Sequence, residues 1–170
     1  MNALVLGGQS IKHKQWVRDV AVALKPHFEA VVYLDYMHWQ TGEADIDLEY
    51  EIFQAANLAK SLGNYVIVAK SIGVIVAILA IARGVITPQK CVFAGFPLNV
   101  VESSLPEVAS ALKSLPPVTF IQNGADPLGS AGSVQAYLDS YLASGYNLKI
   151  ILGNTHDYPD FNLLVELALR

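Results

Sequence analysis

Six short runs of apolar residues recur along the chain, and helical patterns separate them. Each run is nearly continuous rather than alternating, which is typical of parallel strands covered on both faces. The predicted strands span residues 3–8, 30–36, 65–71, 90–96, 118–122 and 148–152. The predicted helices span residues 11–28, 46–62, 72–83, 103–114, 131–143 and 161–169. This strict alternation predicts an α/β fold, a three-layer αβα sandwich with a six-stranded parallel sheet.

Glycine and proline residues mark the ends of several predicted elements. Gly84 and Gly145 follow helices, and Pro116 and Pro117 separate a helix from a strand. The longest apolar run, residues 72–82, is too short to span a bilayer, so we expect a helix that is packed on every side. Since no repeat, linker or charge block interrupts the pattern, residues 1–170 are predicted to form a single domain.

The composition narrows the classes of function. Hydrophobic residues make up 53% of the chain and charged residues 15%, which favours a well-packed core over disorder. A net charge of −4 argues against nucleic acid as a partner, because phosphate binding requires a cationic face. The chain reaches its first strand at Ala3 without a basic leader, so we expect a cytoplasmic protein with no membrane partner. The one cysteine, Cys91, predicts a buried thiol and no disulfide.

The segment 65–73, Tyr-Val-Ile-Val-Ala-Lys-Ser-Ile-Gly, joins a predicted strand to a predicted helix at Ser71. A serine on such a sharp turn presents its hydroxyl outward. The residues two before and two after it approach neighbouring backbone, so both must be small. Here they are Ala69 and Gly73. The amide of Ile72 lies at the helix N-terminus, where it is free to donate to a negatively charged oxygen.

Three polar residues, Ser71, Asp126 and His156, follow three different predicted strands. Because the carboxyl ends of parallel strands lie along one edge of a sheet, we expect these residues to meet there. A serine hydroxyl becomes a nucleophile when a base takes its proton, and histidine titrates near neutrality. A carboxylate can fix the tautomer of that histidine. The set therefore predicts nucleophilic catalysis.

In these features the chain resembles the α/β-hydrolase family, in a minimal form and over nearly its whole length. The segment 69–73, Ala-Lys-Ser-Ile-Gly, matches the motif G-x-S-x-G with alanine in place of the first glycine. The family's sheet usually has eight strands, and counterparts of the first two are missing here. Only residues 97–102 stand where family members often carry a lid. The resemblance implies a Ser71 nucleophile, a His156 general base and an Asp126 orienting carboxylate.

The tetrahedral intermediate of such a reaction needs two hydrogen-bond donors for its oxygen. The Ile72 amide is predicted to supply one of them. Residues 7–10, Gly-Gly-Gln-Ser, follow the first strand, and we call them the oxyanion loop. The second donor is predicted to be the backbone amide of Gly8 or Gln9, since glycine lets the backbone approach a substrate closely.

Each candidate also has a purely structural interpretation. Ser71 could cap the helix that follows it, and Asp126 before Pro127 is a common turn former. Asp157 could replace Asp126 as the partner of His156. Because a residue rarely reaches the ring nitrogen of its sequence neighbour, Asp126 is the preferred partner.

Other polar residues near the strand ends are less specific. His38 and Trp39 either line the pocket or pack in the ordinary way. Ser10 is interpreted as a helix cap, Lys70 as a solvated side chain, and the cluster 12–14, Lys-His-Lys, as a solvated helix face. The histidines lack metal-ligand spacing and no phosphate-binding glycine motif is present, so neither a metal nor a cofactor is predicted.

The sequence predicts a serine hydrolase that cleaves a small carboxylic ester or thioester through an acyl-enzyme on Ser71. Without a visible lid, the pocket is expected to be shallow and to take a compact acyl group. The alternative is a non-catalytic binding or scaffold module that keeps the fold without the activity. A nucleotide or cofactor binder on a doubly wound sheet is a third interpretation. The expected partner is a small ester-like molecule.

Overall fold

The computed structural model describes residues 1–142 and 145–170, and one sheet of six parallel strands runs through them. The strands are β1 (Asn2–Leu6), β2 (Val31–Tyr33), β3 (Tyr65–Lys70), β4 (Lys90–Ala94), β5 (Val118–Asn123) and β6 (Tyr146–Ile151). They lie in the order β2-β1-β3-β4-β5-β6, and every neighbouring pair is parallel. The predicted fold class is confirmed.

Helices cover both faces of this sheet. They are α1 (His13–Leu24), α2 (Met37–Thr41), α3 (Leu48–Ala59), α4 (Ile72–Ala82), α5 (Leu98–Ser104), α6 (Glu107–Ala111), α7 (Ala131–Tyr141) and α8 (Phe161–Leu169). Helix α1 packs against α8, whereas α4 packs against α3 and α6. Residues 72–81 of α4 are all buried, as its apolar sequence predicts. None of the helices described here is both long and apolar enough to cross a membrane.

The central and edge strands differ in burial. All six residues of β3 are buried, since helices cover both of its faces. Strand β6 lies at the edge, where exposed residues such as Asn147 and Lys149 alternate with half-buried ones. Strand β2, at the other edge, has three residues, and none is buried. The expectation that every strand is covered on both faces is therefore wrong at the two edges.

The helix predicted over residues 103–114 is wrong. The chain instead forms α5 and α6, followed by a 3₁₀ turn at Leu112–Ser114. Pro106 separates the two helices because proline has no N–H to donate and disfavours the helical conformation in the residue before it. Leu105 accordingly leaves the helical region, with φ −136° and ψ 58°. Residues 97–102, the segment that stands in place of a lid, contain the start of α5.

Several predicted boundaries also shift. Helix α3 begins at Leu48 because the Asp47 carboxylate caps it, accepting a hydrogen bond of 3.0 Å from the Tyr50 N–H. The short helix α2 lies within a stretch where no helix was predicted. The last residue of the helix predicted over 131–143, Ala143, lies outside the described residues.

The strand order places the ends of β1 and β3 side by side. The chain leaves β1 toward β2 on one side and returns to β3 on the other. Leu6 pairs with Ala69, so the oxyanion loop and the Ser71 turn emerge next to each other. A reversal of strand order of this kind is where open α/β sheets bind their ligands.

Candidate active site

Ser71 occupies a strained turn between β3 and α4. Its backbone has φ 56° and ψ −123°, and it is the one non-glycine residue with a positive φ among those described. Such a conformation costs on the order of 1–3 kcal/mol and persists where surrounding contacts enforce it. Here the Ser71 N–H donates to the Ala94 carbonyl at 3.0 Å. Although Ser71 stands at the N-cap position of α4, its hydroxyl makes no capping hydrogen bond.

The turn is crowded where Gly73 meets the oxyanion loop. The Gly73 N–H donates to the Gly7 carbonyl at 3.0 Å. A Cβ atom on Gly73 would lie 2.6 Å from the Gly7 oxygen and 2.7 Å from the Leu6 oxygen. Both neighbours are backbone atoms, so relief would require the loop itself to move. This is the steric reason for a small residue two positions after Ser71.

We expect the substitution Gly73→Ala to lower the free energy of unfolding by about 2 kcal/mol, as overpacking a tight site does. Urea denaturation measures this change. The matched control is Gly132→Ala in α7, where nothing lies within 4 Å of the added Cβ. Because Gly132 lies in the first turn of α7, alanine there should change the free energy of unfolding by less than about 1 kcal/mol. Equal stability of the two variants would contradict the crowding argument.

Asp126 and His156 meet at the same edge of the sheet. His156 Nδ1 lies 2.8 Å from Asp126 Oδ2 and 3.0 Å from Oδ1. The Asp126 side chain is fully buried, whereas that of His156 keeps 15% of its surface exposed. Asp157 turns away, with a side chain that is 77% exposed and lies 3.9 Å from the Lys70 Nζ. The structure thus pairs His156 with Asp126 and not with its sequence neighbour.

The Asp126 carboxylate accepts two further hydrogen bonds. The Tyr158 hydroxyl donates to Oδ2 at 2.6 Å, and the Leu128 N–H donates to Oδ1 at 2.8 Å. Burial alone would raise the pKa of Asp126, but the hydrogen bonds from His156, Tyr158 and Leu128 outweigh it and lower this pKa. The carboxylate is therefore held in its charged form. Sequence reasoning missed Tyr158, which lies 32 positions from Asp126.

Ser71 and His156 line one cavity of about 220 Å³. Its other lining residues come from the oxyanion loop and from the starts of α1, α4 and α5: Gln9, Ser10, His13, Ile72, Pro97, Val100 and, after β5, Leu128. The His156 Nε2 atom is buried and has no hydrogen-bond partner in the described part of the chain. The nitrogen that would act as a base therefore has a free lone pair.

The oxyanion loop is fixed through the carbonyl oxygen of Gln9. The Trp39 Nε1–H donates to it at 2.8 Å, and the His38 Nε2 atom lies 2.6 Å from it. Gln9 and Ile72 line the Ser71 cavity, whereas Gly8 does not. Of the two residues predicted to supply the second donor, Gln9 is thus the one that borders this cavity.

His38 and Trp39 lie behind the loop, apart from Ser71. Together with Gln9 and Ser10 they line a separate cavity of about 540 Å³. Neither residue borders the Ser71 cavity. They therefore do not form the expected wall of the Ser71 pocket. Both residues belong to the short helix α2, and their ring nitrogens contact the backbone of the oxyanion loop instead.

Searches with the sequence found no matching family model and no matching curated protein. Comparison with solved structures found clear similarity. An esterase from Pyrococcus furiosus superposes with a TM-score of 0.74 at 17% identity, covering 99% of this chain and 79% of the other. A cold-adapted esterase from an Arctic intertidal metagenomic library gives 0.72 at 15%, covering 99% and 82%. Mouse alpha/beta hydrolase domain-containing protein 10 gives 0.72 at 11%, covering 98% and 87%. The chain has the α/β-hydrolase fold.

Within this α/β-hydrolase fold, Gly95 is a second position that requires glycine. It follows β4 with φ 64°, and a Cβ there would lie 2.9 Å from His156 Cε1. It would also lie 2.5 Å from Tyr158 Cε2. The backbone at the end of β4 therefore packs closely against the rings of His156 and Tyr158. Sequence reasoning missed Gly95, for which the sequence Gly-Phe-Pro after a strand was the available signal.

Lys70 and His13 are less exposed than predicted: both were expected to be solvated, but their side chains contact each other. Lys70 is 1% exposed, and its Nζ atom lies 3.1 Å from the His13 Nε2 atom. His13 borders the Ser71 cavity. The described residues contain no group of three or more His, Cys, Asp or Glu side chains that could hold a metal ion. The candidate site of this fold thus consists of a serine, a paired histidine and a neighbouring buried lysine.

Proposed function

We propose that this protein is a serine hydrolase that cleaves a small carboxylic ester or thioester through an acyl-enzyme on Ser71. Ser71 is the nucleophile, His156 the general base and acid, and Asp126 the carboxylate that orients His156. The amides of Ile72 and Gln9 hold the oxyanion. No cofactor enters the reaction.

The reaction proceeds in two stages. Ser71 Oγ attacks the acyl carbon while His156 Nε2 takes the hydroxyl proton, and a tetrahedral oxyanion forms. Its collapse breaks the bond to the leaving oxygen or sulfur, which receives the proton from His156. Water then attacks the acyl-enzyme by the same route, releasing the acid and regenerating Ser71.

The observation that carries this proposal is that Ser71 and the His156–Asp126 pair come together at one cavity. A strained turn holds Ser71, a buried carboxylate holds His156, and both residues border one cavity. Strained residues of this kind cluster at active sites. The similar solved structures described as esterases favour the same chemistry.

The cavity supports a compact acyl group. Its volume is about 220 Å³, and apolar side chains of Pro97, Val100 and Leu128 line it. A neighbouring cavity of about 610 Å³ shares Ser10, His13 and His156 with it. Ser71 and Ile72 border the smaller cavity and not the larger one. The acyl group must bond to Ser71, so we assign it to the smaller cavity, and the leaving group, which His156 protonates, to the larger one.

A fluorophosphonate probe tests the nucleophile directly. The activated hydroxyl displaces fluoride from phosphorus, so we expect a covalent adduct on the peptide that contains Ser71, located by mass spectrometry. Ser10, which borders the same cavity, is the internal control and should stay unlabelled. The adduct should also be lost in His156→Ala, since an unactivated serine reacts slowly. An unlabelled Ser71 in folded wild-type protein would instead favour the binding or scaffold module.

A further inference from the structure

Lys70 immediately precedes Ser71 and is buried without a close counterion. Its side chain is 2% exposed, and the nearest carboxylate, that of Asp157, lies 3.9 Å away and is itself mostly exposed. The ammonium group lies 5.7 Å from the centre of the Trp16 ring. Burial lowers the pKa of Lys70. A buried charge without a hydrogen-bond partner is costly, so the contact of Lys70 with His13 is important for Lys70 itself.

The contact between Lys70 and His13 fixes the proton on the imidazole. An ammonium group has donors but no acceptor, so the His13 Nε2 atom, 3.1 Å away, must accept the hydrogen bond. A neutral imidazole that accepts at Nε2 carries its proton on Nδ1. Burial and the charge of Lys70 lower the pKa of His13 to about 4, so the ring is neutral at pH 7.

The protonated side of His13 lies against the oxyanion loop. A Cβ atom on Gly8 would overlap the His13 ring at Nδ1. Nδ1 is buried, and a hydrogen bond with the Gly8 backbone raises the pKa of His13 against the larger effects of burial and Lys70. Gln9, the next residue, is held from its other side through its carbonyl by His38 and Trp39. The loop therefore lies between two sets of ring side chains.

We propose that Lys70 and His13 are positioning residues for the oxyanion loop: Lys70 fixes His13 as the Nδ1-protonated tautomer, and the His13 ring holds Gly8. The role in catalysis rests on the proposed function, because the loop matters to the reaction through the Gln9 amide. Lys70 also borders the cavity of about 610 Å³ that we assign to the leaving group, but in this role it acts on the loop. Its effect passes through His13 alone.

The tautomer is measured in the free protein by long-range ¹H–¹⁵N NMR of ¹⁵N-labelled histidine, with His13 signals assigned by their loss in His13→Gln. We expect Nδ1–H for His13 in the wild type and loss of that preference in Lys70→Met. The backbone amide signals of Gly8 and Gln9 should move in the same variant. The control is Lys14→Met, which also removes a positive charge next to His13. Lys14 pairs with Asp35 at 3.0 Å and borders neither cavity, so this variant should leave all these signals in place.

The kinetic measurement separates positioning from a merely structural role. An oxyanion donor acts in the transition state, so Lys70→Met should lower kcat by about tenfold and change KM by less than about twofold. Lys14→Met should keep kcat. Nε2–H or charged His13 in the wild type would overturn the proposal, as would Lys70→Met with unchanged His13, Gly8 and Gln9 signals or unchanged kcat.

The two proposals fail in distinguishable ways. A wild-type protein that neither turns over esters nor labels at Ser71 refutes the proposed function. The His13 tautomer and the Gly8 and Gln9 signals still decide, in that protein, whether Lys70 holds the loop.

Discussion

The substitution Ser71→Ala is expected to lower kcat for p-nitrophenyl acetate by about a millionfold, as removing a triad serine does elsewhere. Without the hydroxyl no acyl-enzyme forms, and only the binding site and the oxyanion donors remain to accelerate direct attack by water. Alanine keeps the Cβ atom and fits the same backbone turn. The loss should therefore appear in turnover without a change in fold, as judged by circular dichroism.

Ser10→Ala is the matched control for this experiment. Ser10 borders the same cavity, and its hydroxyl accepts a weak hydrogen bond of 3.4 Å from the Lys12 N–H. Its removal should change kcat by less than about threefold, since most substitutions away from the reacting atoms have small effects. If Ser71→Ala kept more than a hundredth of wild-type turnover above the buffer rate, Ser71 could not be the nucleophile.

The sequence predicts the positions of the candidate site well because parallel strands impose them. Residues that follow β3, β5 and β6 must emerge at one edge of the sheet, whichever loops carry them. Asp126 and His156 are 30 positions apart and still meet at 2.8 Å. The crowding at Gly73 follows equally from the sharp turn. Topology and backbone sterics therefore set this part of the site.

The environments of Lys70 and His13 could not be predicted in the same way. Lysine at a strand end and a Lys-His-Lys cluster before a helix are typical of solvated surface. The two residues are 57 positions apart, and their side chains meet only because the fold brings the start of α1 near the end of β3. Tyr158 is a similar case, since its contact with Asp126 depends on how the last loop folds back. Side-chain contacts between loops are not encoded in a local pattern.

His38 and Trp39 show what is lost when a short helix is missed. Placing them after a strand predicts the correct edge of the sheet, but not the direction in which they face. Helix α2 turns both rings onto the Gln9 carbonyl, where they hold the oxyanion loop rather than contact the Ser71 cavity. Five-residue helices have too little periodicity to be recognised from sequence.

The substitution Asp126→Asn is expected to lower kcat by about ten-thousandfold. The carboxylate accepts hydrogen bonds from both His156 Nδ1 and the Tyr158 hydroxyl. An asparagine has one acceptor oxygen, and when its NH₂ group faces His156 the Nδ1 atom must accept instead of donate. The proton then moves to Nε2, the nitrogen that we assign as the base, and a protonated Nε2 can no longer take the serine proton.

Asp157→Asn provides the matched control, because it removes the same charge one residue from His156. The Asp157 carboxylate is 77% exposed and lies near Lys70 rather than at the His156 ring. We expect a change in kcat of less than about tenfold, since exposed charges contribute little. Steady-state kinetics on the two variants, with fold checked by thermal denaturation, separates the two carboxylates. A larger loss in Asp157→Asn than in Asp126→Asn would contradict the role given to Asp126. The buried Asp126–His156 pair could then not be the contact that sets the histidine tautomer.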